Sequence, residues 1–238
     1  MSYQKNQPST IQAMFDSIAT DYDKTNAILS FQLHKKWNRE LIRQVCQGNP
    51  SLLLDLCCGT GEIAFKFLLS SREAKEVFMV DFSSSMLECA KAKAQRLALS
   101  SHQIHYLQAD VQDLPLPNHH VTCATMAYGI RNVKDPLKCF QEVYRVLQPG
   151  GVFGILELTR PSNPLLKFGH QLYLRHFLPL IGKWITHNQQ AYDYLCSSIN
   201  TFIPPQTLVN QLETAGFQNL VVKPLTGGIA TLFMAQRS

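Results

Sequence analysis

The chain has no Cys-x-x-Cys pair, no long run of Lys and Arg, and no uninterrupted apolar stretch of bilayer length. The His102/His105 and His119/His120 pairs lack a third ligand at metal spacing, so no metal is expected. The longest apolar stretch, Leu172 to Ile185, is broken by Arg175, His176, Pro179 and Lys183, which excludes a spanning helix. No signal-peptide pattern, internal repeat or low-complexity tract is visible. Seven cysteines, an odd number, read as thiols of a reducing cytoplasm, not as a disulfide framework. The net charge of +5 and the pI of 8.8 come from scattered positives, which suit mild attraction to an anionic surface. No nucleic-acid partner is expected.

A length of 238 residues with 45% hydrophobic content fits one α/β domain with a full core. Strand-like segments fall at 51–57, 76–81, 103–109, 120–127, 151–158, 217–223 and 228–236, and helical spacing follows most of them. The 83–98 segment carries Met86, Leu87, Ala90, Ala94 and Leu97 on one face, and 136–147 carries Leu137, Phe140, Val143, Tyr144 and Leu147. Gln148-Pro149-Gly150-Gly151 stops the second helix ahead of a strand at Val152 to Leu158. The last two strands are joined only by Pro224-Leu225-Thr226-Gly227-Gly228, so a parallel sheet ends in an antiparallel hairpin.

Three acids stand at informative places. Asp55 ends the first strand before Cys57-Cys58-Gly59-Thr60-Gly61, Asp81 ends the second, and Asp110 follows the third. Gly59-x-Gly61-x-x-Ala64 also satisfies a loose dinucleotide fingerprint, with Asp81 at the distance of a ribose contact. Asp55 decides against that reading, because a carboxylate at the turn repels a pyrophosphate but attracts the ammonium and sulfonium of S-adenosylmethionine. Asp81 then suits the ribose hydroxyls and Asp110 the adenine amine. The bland alternative for Asp81 is a helix cap shared with the serines that follow it. The expected fold is therefore a Rossmann-like class I methyltransferase: α/β, seven strands, mostly parallel, an antiparallel hairpin at the end, and helices on both faces. Asp55, Gly59, Thr60 and Gly61 are expected at the cofactor turn.

Further segments are similar to one family. Tyr22-Asp23-x-x-Asn26, His34-x-x-Trp37, Gly129-x-Arg131-Asn132-Val133-x-Asp135, Tyr194-Leu195-x-x-Ser198-Ile199 and Leu225-Thr226-Gly227-Gly228-Ile229 resemble the ubiquinone/menaquinone biosynthesis C-methyltransferases, the UbiE/MenG group. The resemblance covers nearly the whole chain. It implies methylation of a ring carbon of a reduced prenylated quinone, most simply demethylmenaquinol to menaquinol, with the ubiquinone precursor as the alternative acceptor. It places cofactor contacts on Thr60, Asp81, Asp110, Val111 and Ala127. The chain departs from the family at Cys57-Cys58, where many members have a small Ala-Gly pair. It also has Gln32 for a frequent Gly, Asn38 for a frequent Arg and Phe233 for a frequent His.

Methylation at a ring carbon needs a neighbouring phenolate, so a donor for the oxyanion and a base for the hydroxyl proton are required. Arg131 is the expected oxyanion donor, or else a structural pin to Asp135 or a backbone carbonyl. Tyr22, Asp23, His34 and a water held by Asn132 are the candidate bases, with lid closure as the alternative role for Tyr22 and Asp23. The expected division is an N-terminal helical lid at 1–50, the cofactor core at 51–159, a helical cap at 160–203 and a final helix and hairpin at 204–238. The cap is either an amphipathic cover touching the membrane that holds the prenyl tail, or an ordinary cap packed on the sheet. The sequence leaves the oligomeric state open, a homodimer included. Two rival classes are a nucleic-acid methyltransferase and a non-catalytic cofactor-binding subunit. Ala127-Tyr128-Gly129-Ile130 speaks against the first, since it carries neither the Asn/Asp-Pro-Pro-aromatic loop of amino-nitrogen methylation nor a Pro-Cys nucleophile.

Overall fold

The computed structural model describes residues 7–70, 73, 75–177 and 189–238. Five strands run parallel: β1 (Leu52–Leu56), β2 (Glu76–Asp81), β3 (Gln103–Gln108), β4 (Val121–Ala127) and β5 (Leu147–Leu158). β6 (Phe217–Leu225) and β7 (Ala230–Arg237) close the sheet as an antiparallel hairpin, giving the order β3-β2-β1-β4-β5-β7-β6. Side-chain alternation divides the core. Leu54 and Leu56 face a cluster with Phe140 and Phe153, whereas Leu53 faces one with Phe67 and Met79. Both faces of the sheet are therefore buried, which is why β1 reads as an unbroken apolar run apart from Asp55.

β5 starts earlier than the Pro-Gly-Gly signal suggests. Leu147 already pairs with Val121, and the ladder then slips register before Cys123 pairs with Val152. Pro149 and Gly150, the latter at φ 78°, form the irregular stretch within the strand instead of a loop before it.

Five helices in the first hundred residues surround the sheet and its carboxyl edge. α1 (Pro8–Ile18) and α2 (Tyr22–Leu29) run across that edge, and α3 (Leu33–Val45) lays Trp37, Leu41, Ile42 and Val45 on the sheet. Gly154 of β5 makes room for α3, since a Cβ there would lie 2.7 Å from Leu41 Cδ1. Asp16 fixes α1 by accepting a 2.5 Å bond from Ser83 Oγ. α4 (Glu62–Leu68) and α5 (Ser84–Arg96) follow β1 and β2, and Ser83 caps α5 by accepting from the Met86 amide at 3.1 Å. α6 (Pro136–Val146) is capped by Asp135, which accepts from the Lys138 amide at 3.1 Å.

α7 (Pro164–Leu172), α8 (Gln189–Thr201) and α9 (Pro205–Thr214) lie between β5 and β6. α7 contains no buried residue, and Leu165 and Phe168 are 80% and 66% exposed. Elsewhere in the same insertion Leu174, Tyr192 and Ile199 are buried against Leu29. Leu178, Leu180, Ile181, Lys183 and Trp184, also expected in this cap, lie outside the described residues. No helix among the described residues is long and apolar enough to cross a membrane. All seven cysteines are free thiols.

Candidate active site

Strand order reverses between β1 and β4, and at such a switch point the strand ends diverge to leave a crevice. Each of these two strands is followed directly by a residue with left-handed backbone, Cys57 at φ 50° and Tyr128 at φ 59°. Neither is glycine, so both turns hold conformational strain, as ligand sites often do. Gly59 at φ 54° and Gly61 at φ 84° complete the turn into α4.

Two cavities meet here. The larger, of about 410 Å³, is bounded by α2, α3, α7, α8 and the turn after β1. The smaller, of about 110 Å³, lies between α1 and the ends of β2 and β3. Tyr22, Cys57, Gly59, Ala127 and Tyr128 belong to the walls of both.

The smaller cavity gathers Asp81, Asp110, Val111 and Ala127. Asp81 accepts from the Gly59 amide at 2.8 Å and the Ser83 amide at 2.9 Å, which fixes the carboxylate while each oxygen keeps a lone pair for another donor. Burial raises its pKa against those two bonds. Cap and ligand site are thus compatible readings of one residue. Asp110 is held by Gln112, at 2.9 Å from the amide and 3.0 Å from the side chain. Buried Met86 and Val111 supply apolar surface of the kind a purine needs.

Asp55 and Thr60 face the larger cavity. Asp55 is 1% exposed, accepts from Thr125 Oγ1 at 2.8 Å and the Ala64 amide at 3.1 Å, and is pushed up to about 7, chiefly by burial. Such a carboxyl gains from a cation beside it. The donor set therefore fits S-adenosylmethionine, with nucleoside partners in one cavity and an acid for the cationic end in the other. Gly61 is not part of either wall. A Cβ there would lie 2.5 Å from Phe65 Cε2, so this glycine serves the close packing of the turn on α4.

The catalytic candidates separate. Arg131 lines the larger cavity and is 7% exposed, but its structural partner is not Asp135. Its Nη1 donates to Glu157 Oε1 at 2.7 Å and to the Tyr128 carbonyl, while its Nε has no partner. Asn132 instead borders the smaller cavity and accepts from Tyr194 Oη at 2.9 Å. Tyr22 stands between the cavities, its pKa raised by burial and opposed by Arg131. Asp23 accepts one bond on each oxygen, from Thr60 Oγ1 at 2.5 Å and from Lys93 Nζ at 2.6 Å. It fastens α2 to the turn.

His34 lines the larger cavity within a polar set that sequence reasoning did not foresee: buried Asn38 and half-buried Ser30, Glu62 and Tyr128. Glu157 was missed as well. A lone acid in the apolar run Ile155-Leu156-Glu157-Leu158 was the available signal, since a buried carboxylate needs a buried cation. Gln32, at φ 60°, occupies a left-handed position, which accounts for the glycine common there in the family it resembles.

Comparison with known proteins leads to methyltransferases. A demethylmenaquinone methyltransferase of Protochlamydia amoebophila (strain UWE25) is 55% identical over 232 residues, covering 97% of this chain and 96% of the relative. The demethylmenaquinone methyltransferase of Chlamydia pneumoniae is 41% identical over 236 residues, covering 97% and 99%. Among solved structures, a SAM dependent methyltransferase from Aquifex aeolicus superposes with a TM-score of 0.62 at 18% identity, covering 94% of this chain and 98% of that one, a likeness of fold. The ubiE/COQ5 methyltransferase family matches residues 2–237, and the chain belongs to that family.

Proposed function

We propose that this methyltransferase carries the methyl group of S-adenosylmethionine to a ring carbon of demethylmenaquinol, yielding menaquinol. The carrying observation is the shared wall of Tyr22, Cys57, Gly59, Ala127 and Tyr128, where a nucleoside-suited cavity meets a larger one bordered by Leu29, Phe31, Leu33 and Leu165. A donor on one side and an apolar ring and tail on the other put the methyl and the ring carbon at a common boundary. The names of the curated relatives support the naphthoquinol over other acceptors.

In this reading Asp81 and Asp110 hold the nucleoside, Asp55 and Thr60 the methionine end, and Val111 and Ala127 the apolar contacts. Arg131 supports the developing oxyanion by hydrogen bonding, since its pairing with Glu157 leaves little net charge to offer. Tyr22 and Asn132 orient the ligands. α1 and α2 act as the lid of the 1–50 segment, and α7 with α8 as the cap of 160–203 over the 51–159 core. Phe31, Leu165 and Leu166, at 71%, 80% and 45% exposure, line the mouth of the larger cavity and rest against the bilayer surface from which the prenyl tail is drawn, on the cytoplasmic side.

The test is parallel incubation of the purified protein with S-adenosylmethionine and reduced demethylmenaquinone or reduced 2-methoxy-6-prenylbenzoquinone, read by product mass. Methylation of the naphthoquinol is expected. Methylation of the benzoquinol alone would reassign the acceptor, and no product with either, donor binding being intact, would refute the reading.

A further inference from the structure

The polar set on the α2–α3 side of the larger cavity fixes the protonation pattern of one imidazole. Ser30 Oγ lies 2.6 Å from the Asn26 carbonyl and 2.6 Å from His34 Nδ1. A carbonyl can only accept, so the single Ser30 hydroxyl proton points to Asn26. Ser30 Oγ must then accept from His34, which places the imidazole proton on Nδ1 and the lone pair on Nε2. Nε2 stands 3.7 Å from Glu62 Oε2, too far for a hydrogen bond but close enough for a carboxylate to stabilise a positive ring. Glu62 is held by Asn38 Nδ2 at 2.8 Å, and Asn38 Oδ1 in turn accepts from Tyr128 Oη at 2.9 Å. His34 and Asn38 are 6% and 1% exposed, and all five residues line the same cavity as Arg131.

We infer that His34 Nε2 is the base that takes the ring-hydroxyl proton, with Glu62 stabilising the imidazolium that results. This rests on the quinol reading above. The O–H bond breaks and an N–H bond forms at Nε2. The phenolate electron pair drives the ortho carbon onto the methyl carbon, and the C–S bond breaks with its electrons staying on sulfur. The ring carbon then loses its hydrogen as a proton to water, the ring regains aromaticity, and the oxygen recovers the proton held by His34. One proton is released overall, which matches conversion of a sulfonium to a thioether.

The arrangement explains why the residue at the His34 position is buried and yet keeps a free lone pair. A packed histidine satisfies both nitrogens, and one paired tightly to a carboxylate would be protonated before substrate arrives. Here burial lowers the His34 pKa, Lys35 and Lys66 act in the same direction, and Glu62 and Asp23 oppose them, so the ring is neutral at pH 7. Asn38 holds Glu62 back from the ring through its amide.

The experiment measures single-turnover methylation of reduced demethylmenaquinone, with saturating S-adenosylmethionine, between pH 5 and 9. In the wild type, turnover should rise with pH through one limb lying below the usual histidine range. His34→Asn keeps a donor for Ser30 but has no base. It should lose about 10²-fold or more in rate, and the limb with it, while binding the donor within about threefold of wild type. His34→Ala should regain part of its rate with added imidazole. Glu62→Gln keeps the bond from Asn38 within reach and should shift the limb to lower pH, because the imidazolium loses its counter-charge. That shift remains readable if the His34 variants fail to fold. An unshifted limb in Glu62→Gln, or His34→Asn with wild-type rate and pH profile, would overturn the inference while the quinol reading stood. Failure of the wild type on both quinols would remove that reading first.

Discussion

Cys57 and Gly129 face each other across the seam between β1 and β4, where a Cβ on Gly129 would lie 2.5 Å from Cys57 Cβ and 2.7 Å from its Sγ. Only one of the two positions can carry a side chain. Gly129→Ala should lower the melting temperature, and Cys57→Gly, which also suits the left-handed φ of 50° there, should restore most of it. A coupling energy of about 0.5–3 kcal/mol is expected from the double-mutant cycle in thermal unfolding. Independent effects would mean the strands part to admit both side chains.

Arg131→Ala removes the partner of Glu157, which has no exposed surface, and should cost about 3–5 kcal/mol in denaturant unfolding. Loss of activity in that variant alone would not separate chemistry from folding. Arg131→Met with Glu157→Gln should recover much of the stability and stay inactive, with donor affinity within a few-fold. Recovery of turnover along with stability would make Arg131 a pin only.

Asp55 gives the apoprotein a pH dependence of definite sign. Its carboxyl lies at about 7 in the folded chain, above the roughly 3.9 of an unfolded aspartate. The folded state therefore binds that proton more tightly. Its stabilising contribution is complete below about pH 4, declines as pH rises and is lost above about 7. Asp55→Asn should gain in melting temperature relative to wild type as pH is raised from 5 to 8. Donor binding at pH 7 should release protons in the wild type and not in Asp55→Asn, measured by calorimetry in buffers of different ionisation enthalpy.

Asp23 ties α2 to Thr60 and Lys93, and the side chain is 41% exposed, so its worth to global stability is small. Its effect should fall on the closed form of the site. Asp23→Ala is expected to weaken S-adenosylmethionine binding about tenfold, with little change in unfolding. Unchanged affinity would show that α2 keeps its place without this link.

The exposed apolar side chains of α7 should matter only for acceptors with long tails. Leu165→Ser with Phe168→Ser should raise KM for a long-prenyl quinol in vesicles severalfold, and leave KM for a short-chain analogue alone. Equal effects on both would place these side chains in the ring pocket.

Much of this architecture was legible because it is written in short-range patterns. Apolar strands ending in Asp55 and Asp81, the helical stripes of α5 and α6, and the Thr226-Gly227-Gly228 turn each carry their signal locally. The onset of β5 did not, because a register slip opposite β4 is set by the partner strand. Arg131 and Asn132 adjoin in sequence, yet the tight turn over Ile130–Asn132 sends them to different cavities. The Asp135 pairing was plausible at a spacing of four, but Asp135 is committed to capping α6. Contacts such as Asn38 to Tyr128, ninety residues apart, arise only when α3 is laid on the sheet.

The common wall between the cavities bears on the order of events. At its outer end the smaller cavity is rimmed by exposed Pro8, Phe82 and Lys134, and the larger by Phe31 and Leu165, so the two mouths are built from different elements. On the proposed reading the methionine end of the donor reaches Asp55 and Thr60 inside the larger cavity. The two occupants therefore enter by separate mouths yet share one floor, and the donor must be seated before the ring covers it.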